Sequence, residues 1–354
     1  MNHEIKIKDR IIIGEETPCY VIAEMSANHA GDMHRAFEII HAAKASGADC
    51  IKVQTYTPDT MTIDCDNEYF QIKTGTWQGE NLYRLYEKAY TPWEWQYRLK
   101  EEAEKVGLDF LSTAFDPTSV DFLESLGVDF YKIASFEAND LPLIRYVASK
   151  GKPIILSTGM ATWDEITEAV AAIKDQGNHK LCLLRCSSAY PAIPQDMNLK
   201  AMMHLRDTLG VYVGLSDHSL GAVAAITAVA LGAKVIEKHF CISREIENPD
   251  ASFSMEPHEF KKMVADIRAA ETAIGEINFE VSDRENTNRI FRRSIFVVED
   301  MKAGELFTSQ NTRIIRPAAG LAPKYIEQIL GKTATKDIPR GTPLEWSMVR
   351  STNE

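Results

Sequence analysis

The chain is predicted to be an α/β protein, a (β/α)8 barrel followed by a small β-rich domain. Three observations predict it. Short, almost continuously apolar strand segments alternate with helical patterns, which is the signature of a parallel sheet. Counting them gives eight strand–helix units over roughly 250 residues, the size of a closed barrel. Polar residues then cluster at the C-terminal end of nearly every strand. Those ends converge on one mouth in a barrel, which favours it over a doubly wound open sheet.

Residues 3–14 alternate apolar and polar and turn at Asp9-Arg10, a small hairpin ahead of the main domain. The first buried-type strand is 19–24, ending in Glu24, and Asp32 caps a helix with Met33, Phe37 and Ile40 at helical spacing. A repeat follows. Gly47, Gly107, Gly127 and Gly232 each end a helix and lead through a short link into an apolar strand, at 50–54, 110–113, 130–134 and 235–239. Strands at 154–157, 181–185 and 211–216 complete the set. Thr91-Pro92-Trp93-Glu94 and Thr162-Trp163-Asp164-Glu165 read as capping boxes, and Ser219 as the cap of an apolar helix over 222–231. The insert 58–89 is rich in aromatics, among them Tyr69, Trp77 and Tyr86. It suits a lid or substrate wall, or extra packing on the barrel. The expected organisation is a hairpin plus barrel over 1–275, a polar linker over 276–288 and a second domain, rich in Pro and Gly, over 289–354.

Composition narrows the function. A net charge of −12 argues against general binding to nucleic acid or an anionic membrane, while leaving room for a local basic pocket. No run approaches the ~18 apolar residues of a membrane span. The charged first 16 residues carry no export signal core. The six cysteines show no CxxC pair and sit largely in apolar runs, so buried thiols in a reducing cytoplasm are expected.

Chemistry gathers at the strand ends. Tyr131-Lys132-Ile133-Ala134-Ser135-Phe136-Glu137 runs from a strand into an ammonium, a hydroxyl and a carboxylate. Other strands end in Glu24, in Lys52 with Gln54, in Thr113, in Ser157, in Arg185 with Ser187 and Ser188, in Ser216 with His218, and in Glu237 with His239. Strand parity puts Lys52 with Gln54, Ser216 with His218 and Glu237 with His239 on shared faces, and turns Lys238 away from the pocket. Lysines and hydroxyls at one mouth suit a phosphate or carboxylate. His218 and His239 with Glu137 or Glu237 form a two-histidine, one-carboxylate set for a divalent ion with open positions.

Several motifs together resemble the sialic acid synthase family. They are Ala23-Glu24-Met25-Ser26-Ala27-Asn28-His29, Ile51-Lys52-Val53-Gln54-Thr55, the 131–137 segment, Ser157-Thr158-Gly159-Met160, Gly214-Leu215-Ser216-Asp217-His218-Ser219 and Glu237-Lys238-His239. The resemblance spans almost the whole chain. The C-terminal part, with its Arg316-Pro317-x-x-Gly320 turn, is similar to the antifreeze-like (SAF) domain. Gln54 to Thr60 and Ala89 to Trp95 are similar to the pseudaminic acid synthase branch.

The resemblance implies a TIM barrel enzyme that condenses phosphoenolpyruvate with the open-chain aldehyde of an N-acetylated amino sugar. For this branch the acceptor would be 2,4-diacetamido-2,4,6-trideoxy-L-altrose. It further implies that Lys52, Thr113, Lys132, Ser135, Ser157, Ser188 and Ser216 hold phosphoenolpyruvate. His218 and His239 would bind Mn2+ or Mg2+ with Glu137 nearby, and Glu24 would assist proton transfer. Gln54, Tyr190 and Asp250 would face the sugar. Arg316 would reach the barrel mouth from the SAF domain of a partner subunit, in a domain-swapped homodimer. One departure stands out: Ser188 occupies a position where N-acetylneuraminate synthases carry Asn. N-acetylneuraminate and legionaminic acid synthesis are the alternatives within the family. Outside it stand a metal-independent Schiff-base aldolase using Lys132 or Lys52, and a non-catalytic carbohydrate- or ice-binding protein built on the SAF-like unit.

Overall fold

Eight parallel strands close into a barrel in the computed structural model, which describes residues 4–350. A hairpin of β1 (Ile5–Ile7) and β2 (Arg10–Ile13) precedes them. The barrel strands are β3 (Tyr20–Glu24), β4 (Cys50–Thr55), β5 (Asp109–Ala114), β6 (Tyr131–Ile133), β7 (Ile154–Ser157), β8 (Leu181–Cys186), β9 (Tyr212–Asp217) and β10 (Val235–His239). They pair in chain order, and β10 closes on β3 with His239 opposite Glu24.

Local chemistry sets most element ends. Asp32 accepts from the His34 amide and starts the helix Met33–Ala45. Asp116, followed by Pro117 at the first helical position, and Thr162 with Glu165 both form complete capping boxes. Two expected caps are absent. The helix Trp93–Lys105 begins after Pro92 with no side-chain cap, because the Thr91 hydroxyl is bonded to His29 instead. Ser219 does not cap the helix Val223–Ala230, since its hydroxyl donates to Asp217 at 2.6 Å. Thr91 is taken by a partner that the fold brings from far along the chain, whereas Ser219 is taken by its near neighbour Asp217. Within β9, Gly214 lets β10 approach: a Cβ there would lie 2.3 Å from the Val235 carbonyl oxygen.

Two apolar layers hold the barrel. Outside the strands, residues such as Val21, Ile51, Ile133, Leu183 and Ile236 pack against helix residues Ile39, Leu99, Ile173 and Phe260. Inside, Ile22, Cys50, Leu111, Phe130, Ile155, Leu184 and Val235 fill the N-terminal half of the lumen, and Ile5, Ile7, Ile12 and Ile13 of the hairpin pack against that plug. The long insert folds into the helices Pro58–Met61 and Leu82–Ala89 with a 3-10 turn Glu68–Phe70 between them. Five of the six cysteines are buried, and all six are free. Among the described residues no helix is long and apolar enough to cross a membrane.

The chain divides into two compact units, the barrel unit to Gly275 and a smaller one from Glu276. The stretch expected as a linker, 276–288, clusters with the smaller unit and contains the short helix Asp283–Asn288, capped by Ser282. This unit pairs β11 (Ser294–Val297) antiparallel with β12 (Thr312–Ile315) and has its own core of Ile295, Val297, Met301, Phe307, Ile338 and Leu344.

Candidate active site

The pleat that fills the lower lumen with apolar side chains also builds the mouth. Alternate residues on a strand share a face, so continuing past Ile22, Cys50, Leu111, Phe130, Ile155, Leu184 and Val235 leads, two positions on, to Glu24, Lys52, Thr113, Lys132, Ser157, Cys186 and Glu237. Ser216 joins them from β9. All eight side chains are buried.

Lys52 is held between two carboxylates. Its Nζ lies 2.7 Å from Glu24 Oε2 and 3.2 Å from Glu237 Oε1, and it donates to Thr113 Oγ1 at 3.1 Å. Strand register sets this up, since Lys52 stands opposite Glu24 across β3 and β4. Gln54 reaches back and donates to Glu24 Oε1 at 3.1 Å and to Ser26 Oγ at 2.9 Å. Burial raises the Glu24 carboxyl above its ordinary value, with the Lys52 charge opposing and Glu237 adding. Burial acts on Glu237 too, but there the Lys132 and Lys52 charges prevail and hold it low. Two carboxylates on one ammonium are thus driven apart, and Glu24 is the one suited to exchange a proton.

Lys132 differs from Lys52. Its Nζ donates to Ser157 Oγ at 2.7 Å and to the Ile133 carbonyl at 2.8 Å, both neutral partners. Burial lowers its ammonium below the ordinary value, with the Glu237 charge opposing. Beside it, three elements converge on a small gap. The Gly159 amide donates to Ser135 Oγ at 3.0 Å, and a Cβ on Gly159 would sit 2.1 Å from Ser188 Oγ and 2.8 Å from Ser135 Oγ. Ser216 Oγ donates weakly to Glu237 Oε1 at 3.5 Å.

The histidines meet at the other side of the mouth. The rings of His218 and His239 are 5.4 Å apart between centroids. His218 Nδ1 lies 3.0 Å from the Ser187 carbonyl oxygen; as the donor in that bond it leaves Nε2 as the free, lone-pair nitrogen. His239 Nδ1 is buried without a hydrogen-bond partner among the described residues, as are Glu137 Oε2 and Glu237 Oε2. Burial, with the His218 charge added, holds the His239 imidazole well below its ordinary value. The Cys186 thiol sits 3.7 Å from His218 Nδ1; burial pushes it up, but the bond to His218 and the imidazole charge bring it down to about 7. Burial opposes the His218 imidazolium, but the Cys186 contact, the Ser187 carbonyl and Glu237 raise it above its ordinary value. With that proton displaced, two imidazole nitrogens in a dry mouth, with orphaned carboxylate oxygens, fit a divalent cation as donors. Among the described residues no group of three or more His, Cys, Asp or Glu side chains is gathered closely enough to hold a metal ion by itself, so the two histidines stand without an assembled third protein ligand. Burial raises the Glu137 carboxyl to about 7, against the Lys132 charge.

Aromatic rings wall this corner. Tyr190 lies 4.2 Å from the His218 ring, 5.1 Å from Phe253 and 5.4 Å from Trp77 between centroids, and Phe253 packs 5.0 Å from His239. Trp77 comes from the insert and is anchored by its indole N–H to the Pro249 carbonyl at 2.8 Å. Asp250 is buried, and its Oδ2 accepts from the Ala27 amide at 3.1 Å. The structure therefore brings together Glu24, Lys52, Gln54 and Thr113; Lys132 with Ser157; Ser135 with Ser188; and Tyr190, His218 and His239. Arg316 lies in the smaller unit, exposed at the end of β12. Sequence reasoning gave no role to Ser26, Gly159, Cys186, Asp217 and Phe253, although Ser26, Gly159 and Asp217 lie within the motifs that carry the family resemblance. Gly159, following the strand-end hydroxyls of β7, carried a readable signal, because a glycine beside converging side chains marks close approach.

Comparison with known proteins agrees with this geometry. Residues 39–279 match the NeuB family and residues 292–350 match the SAF domain. A pseudaminic acid synthase of Campylobacter jejuni is 46% identical over 94% of this chain and 96% of its own. An N,N'-diacetyllegionaminic acid synthase of Legionella pneumophila is 38% identical over 96% of each. The crystal structure of an N-acetylneuraminic acid synthetase from Leptospira borgpetersenii, in complex with citrate, superimposes with a TM-score of 0.72 at 31% identity, covering 81% of this chain and 95% of that one. The barrel, its lysine-lined mouth and the C-terminal unit thus go together: the chain belongs to the NeuB family of sialic acid synthases and carries a SAF domain.

Proposed function

We propose that the chain is a pseudaminic acid synthase, joining phosphoenolpyruvate to 2,4-diacetamido-2,4,6-trideoxy-L-altrose and releasing phosphate. The observation that carries the reading is Lys132. It is a fully buried ammonium whose hydrogen-bond partners are a hydroxyl and a carbonyl, with Glu237 acting on it only as a more distant charge, so it suits direct contact with an anionic ligand. With Ser157 on one side and the Ser135–Ser188 gap on the other, Lys132 suits the phosphate or carboxylate of phosphoenolpyruvate. Lys52 and Thr113 suit its other anionic end. Ser216 extends the same row of donors.

In the reaction, carbon three of phosphoenolpyruvate bonds to the sugar aldehyde carbon, and water adds to carbon two. The carbon–oxygen bond to phosphate then breaks. A divalent cation, Mn2+ or Mg2+, held by His218 and His239 would polarise the aldehyde oxygen as a Lewis acid. The protein's own groups do the rest. The lysines fix the orientation of the anion, and orientation supplies much of the rate. Glu24, raised by burial and poised next to Lys52, exchanges a proton at its Oε1 or Oε2. Gln54 and Asp250 offer hydrogen bonds to the sugar, and Tyr190 with Phe253 excludes water beside the histidines. Glu137, with an orphaned oxygen, serves a water or the sugar at the same mouth. Arg316 of a partner subunit, exposed on its SAF domain, would complete the site in a swapped homodimer. Free, largely buried thiols suit a reducing cytoplasm.

The identity gap between pseudaminic and legionaminic relatives, 46% against 38%, favours the altrose acceptor. The test is phosphate release from phosphoenolpyruvate with Mn2+ or with EDTA, offering the altrose sugar, its gluco-configured relative and N-acetylmannosamine. Metal-dependent release with the altrose sugar alone supports the reading. Release with another acceptor alone moves the chain to a different branch, and metal-independent turnover that borohydride traps on Lys132 would replace it with Schiff-base chemistry.

A further inference from the structure

The mouth's histidines are joined behind the barrel wall by a charge pair that the lumen does not use. Asp217 and Lys238 each sit one residue out of phase with the mouth, so they face away from it, toward the helical layer. They stand opposite each other across β9 and β10. Both side chains are at most 1% exposed. Lys238 Nζ donates to Asp217 Oδ2 at 2.7 Å and to the Ser219 carbonyl at 2.6 Å. Asp217 Oδ1 accepts from the Ser219 amide at 2.8 Å and from the Ser219 hydroxyl at 2.6 Å.

His218 is therefore bracketed. The residue before it and the residue after it are tied to each other and to one ammonium. That ammonium belongs to the residue immediately before His239. A buried ion pair of this kind is a poor source of stability, because desolvating both charges offsets most of their attraction, and an apolar pair of similar volume is often as stable. What it does supply is geometry: four charge-assisted or backbone hydrogen bonds that fix the β9 end relative to the β10 end.

We infer that Asp217 and Lys238 are positioning residues, an ion pair outside the lumen that sets the spacing and ring orientation of His218 and His239 for a divalent cation. The inference rests on the metal reading above. Groups that orient metal ligands from behind typically change affinity by about 10–100-fold when lost.

The experiment titrates Mn2+ into the full-length protein and follows loss of the free-ion EPR signal. The variants are Lys238→Met, Lys238→Arg and the double replacement Asp217→Asn with Lys238→Met, which leaves no unpaired buried charge. Circular dichroism and a melting curve establish how much of each is folded. The expected result is Mn2+ affinity weakened about 10-fold or more in the folded double variant, with kcat lowered and the KM for phosphoenolpyruvate nearly unchanged. Lys238→Arg, which keeps the charge, should recover most of the affinity. A double variant that is folded and binds Mn2+ like the parent overturns the inference, as does a variant whose only defect is a lower melting temperature. If the parent protein turns over substrate but shows no Mn2+ binding, the metal reading itself falls, and the inference with it.

Discussion

Acid should destabilise the barrel through His29, and the size of the effect follows from its contacts. His29 is fully buried beneath Trp95, with ring centroids 5.6 Å apart. Its Nδ1 accepts from the Gly31 amide at 3.1 Å, so Nε2 carries the proton and donates to Thr91 Oγ1 at 3.1 Å. Both nitrogens are used by the neutral ring, and protonating Nδ1 would break the bond to Gly31. Burial, with the Arg35 charge added, depresses the imidazole from 6.5 to about 4. Between those values the unfolded chain binds the proton and the folded chain does not. The stabilising contribution is therefore complete above about pH 6.5 and is lost as pH falls toward 4. Linkage gives a loss of about 2 kcal/mol between pH 7 and pH 5, and about 3 kcal/mol by pH 4. Many carboxylates also titrate in this range, so the measurement is a difference. Urea unfolding of the parent and of His29→Gln, followed by tryptophan fluorescence at pH 7 and pH 5, isolates the term. The parent's advantage over the variant should shrink by about 2 kcal/mol across that interval. An advantage that is constant with pH would refute the reasoning, and would mean that the ring is charged in the fold or that water reaches it.

Three further perturbations separate architecture from chemistry. Gly159→Ala puts a Cβ into the space of the Ser135 and Ser188 hydroxyls, which can rotate away. Folding should survive, while the KM for phosphoenolpyruvate rises about 10-fold in steady-state kinetics; an unchanged KM would remove that gap from the anion site. Gly214→Ala meets backbone instead, with the Val235 carbonyl at 2.3 Å and Leu184 Cδ2 at 2.7 Å. It should cost about 3 kcal/mol and lower the melting temperature, with no special effect on KM among molecules that fold. Lys52→Met strands Glu24 and Glu237 without their shared cation, at a cost of about 3–5 kcal/mol in urea unfolding at pH 7. Adding Glu237→Gln should restore part of that stability but not turnover, and full recovery of turnover would rule Lys52 out of the site.

The barrel was legible because its signals are repetitive and local. Each strand is an apolar run, each link into it is short, and eight repetitions leave few other closures. The two cap assignments that failed did so for one shared reason. A capping motif describes a hydroxyl and the backbone next to it, whereas Thr91 has His29 within reach, a residue 62 positions away in the chain. Ser219 likewise serves Asp217, whose other oxygen is held by Lys238, 21 positions away. Once a hydroxyl is buried, the strongest available acceptor or donor takes it; for Thr91 that partner is invisible in the local sequence, whereas for Ser219 it is Asp217, two positions before.

The same limit separates what strand parity can predict from what it cannot. Parity put Lys52 on one face with Gln54 and turned Lys238 away from the pocket, and both lie where parity puts them; Lys132, named only as a strand-end cation of the mouth, follows Phe130 on the lumen face. Yet Lys52 and Lys132 look alike in sequence, each an interior cation of a short strand with a hydroxyl-bearing strand next door. Their difference comes from register. Opposite Lys52 on one side stands Glu24, and Glu237 reaches it from β10 beyond. Opposite Lys132 stand Thr113 and Ile155, and the nearest hydroxyl is Ser157. One ammonium is therefore bonded to two carboxylates within the fold, while the other bonds directly only to neutral groups and feels the Glu237 charge from farther off. A buried cation bonded only to neutral groups is costly to keep. A ligand anion would offset that cost for Lys132, while Lys52 holds Glu24 and Glu237 together; the raised proton affinity of Glu24 comes from burial, with Lys52 opposing it and Glu237 adding to it.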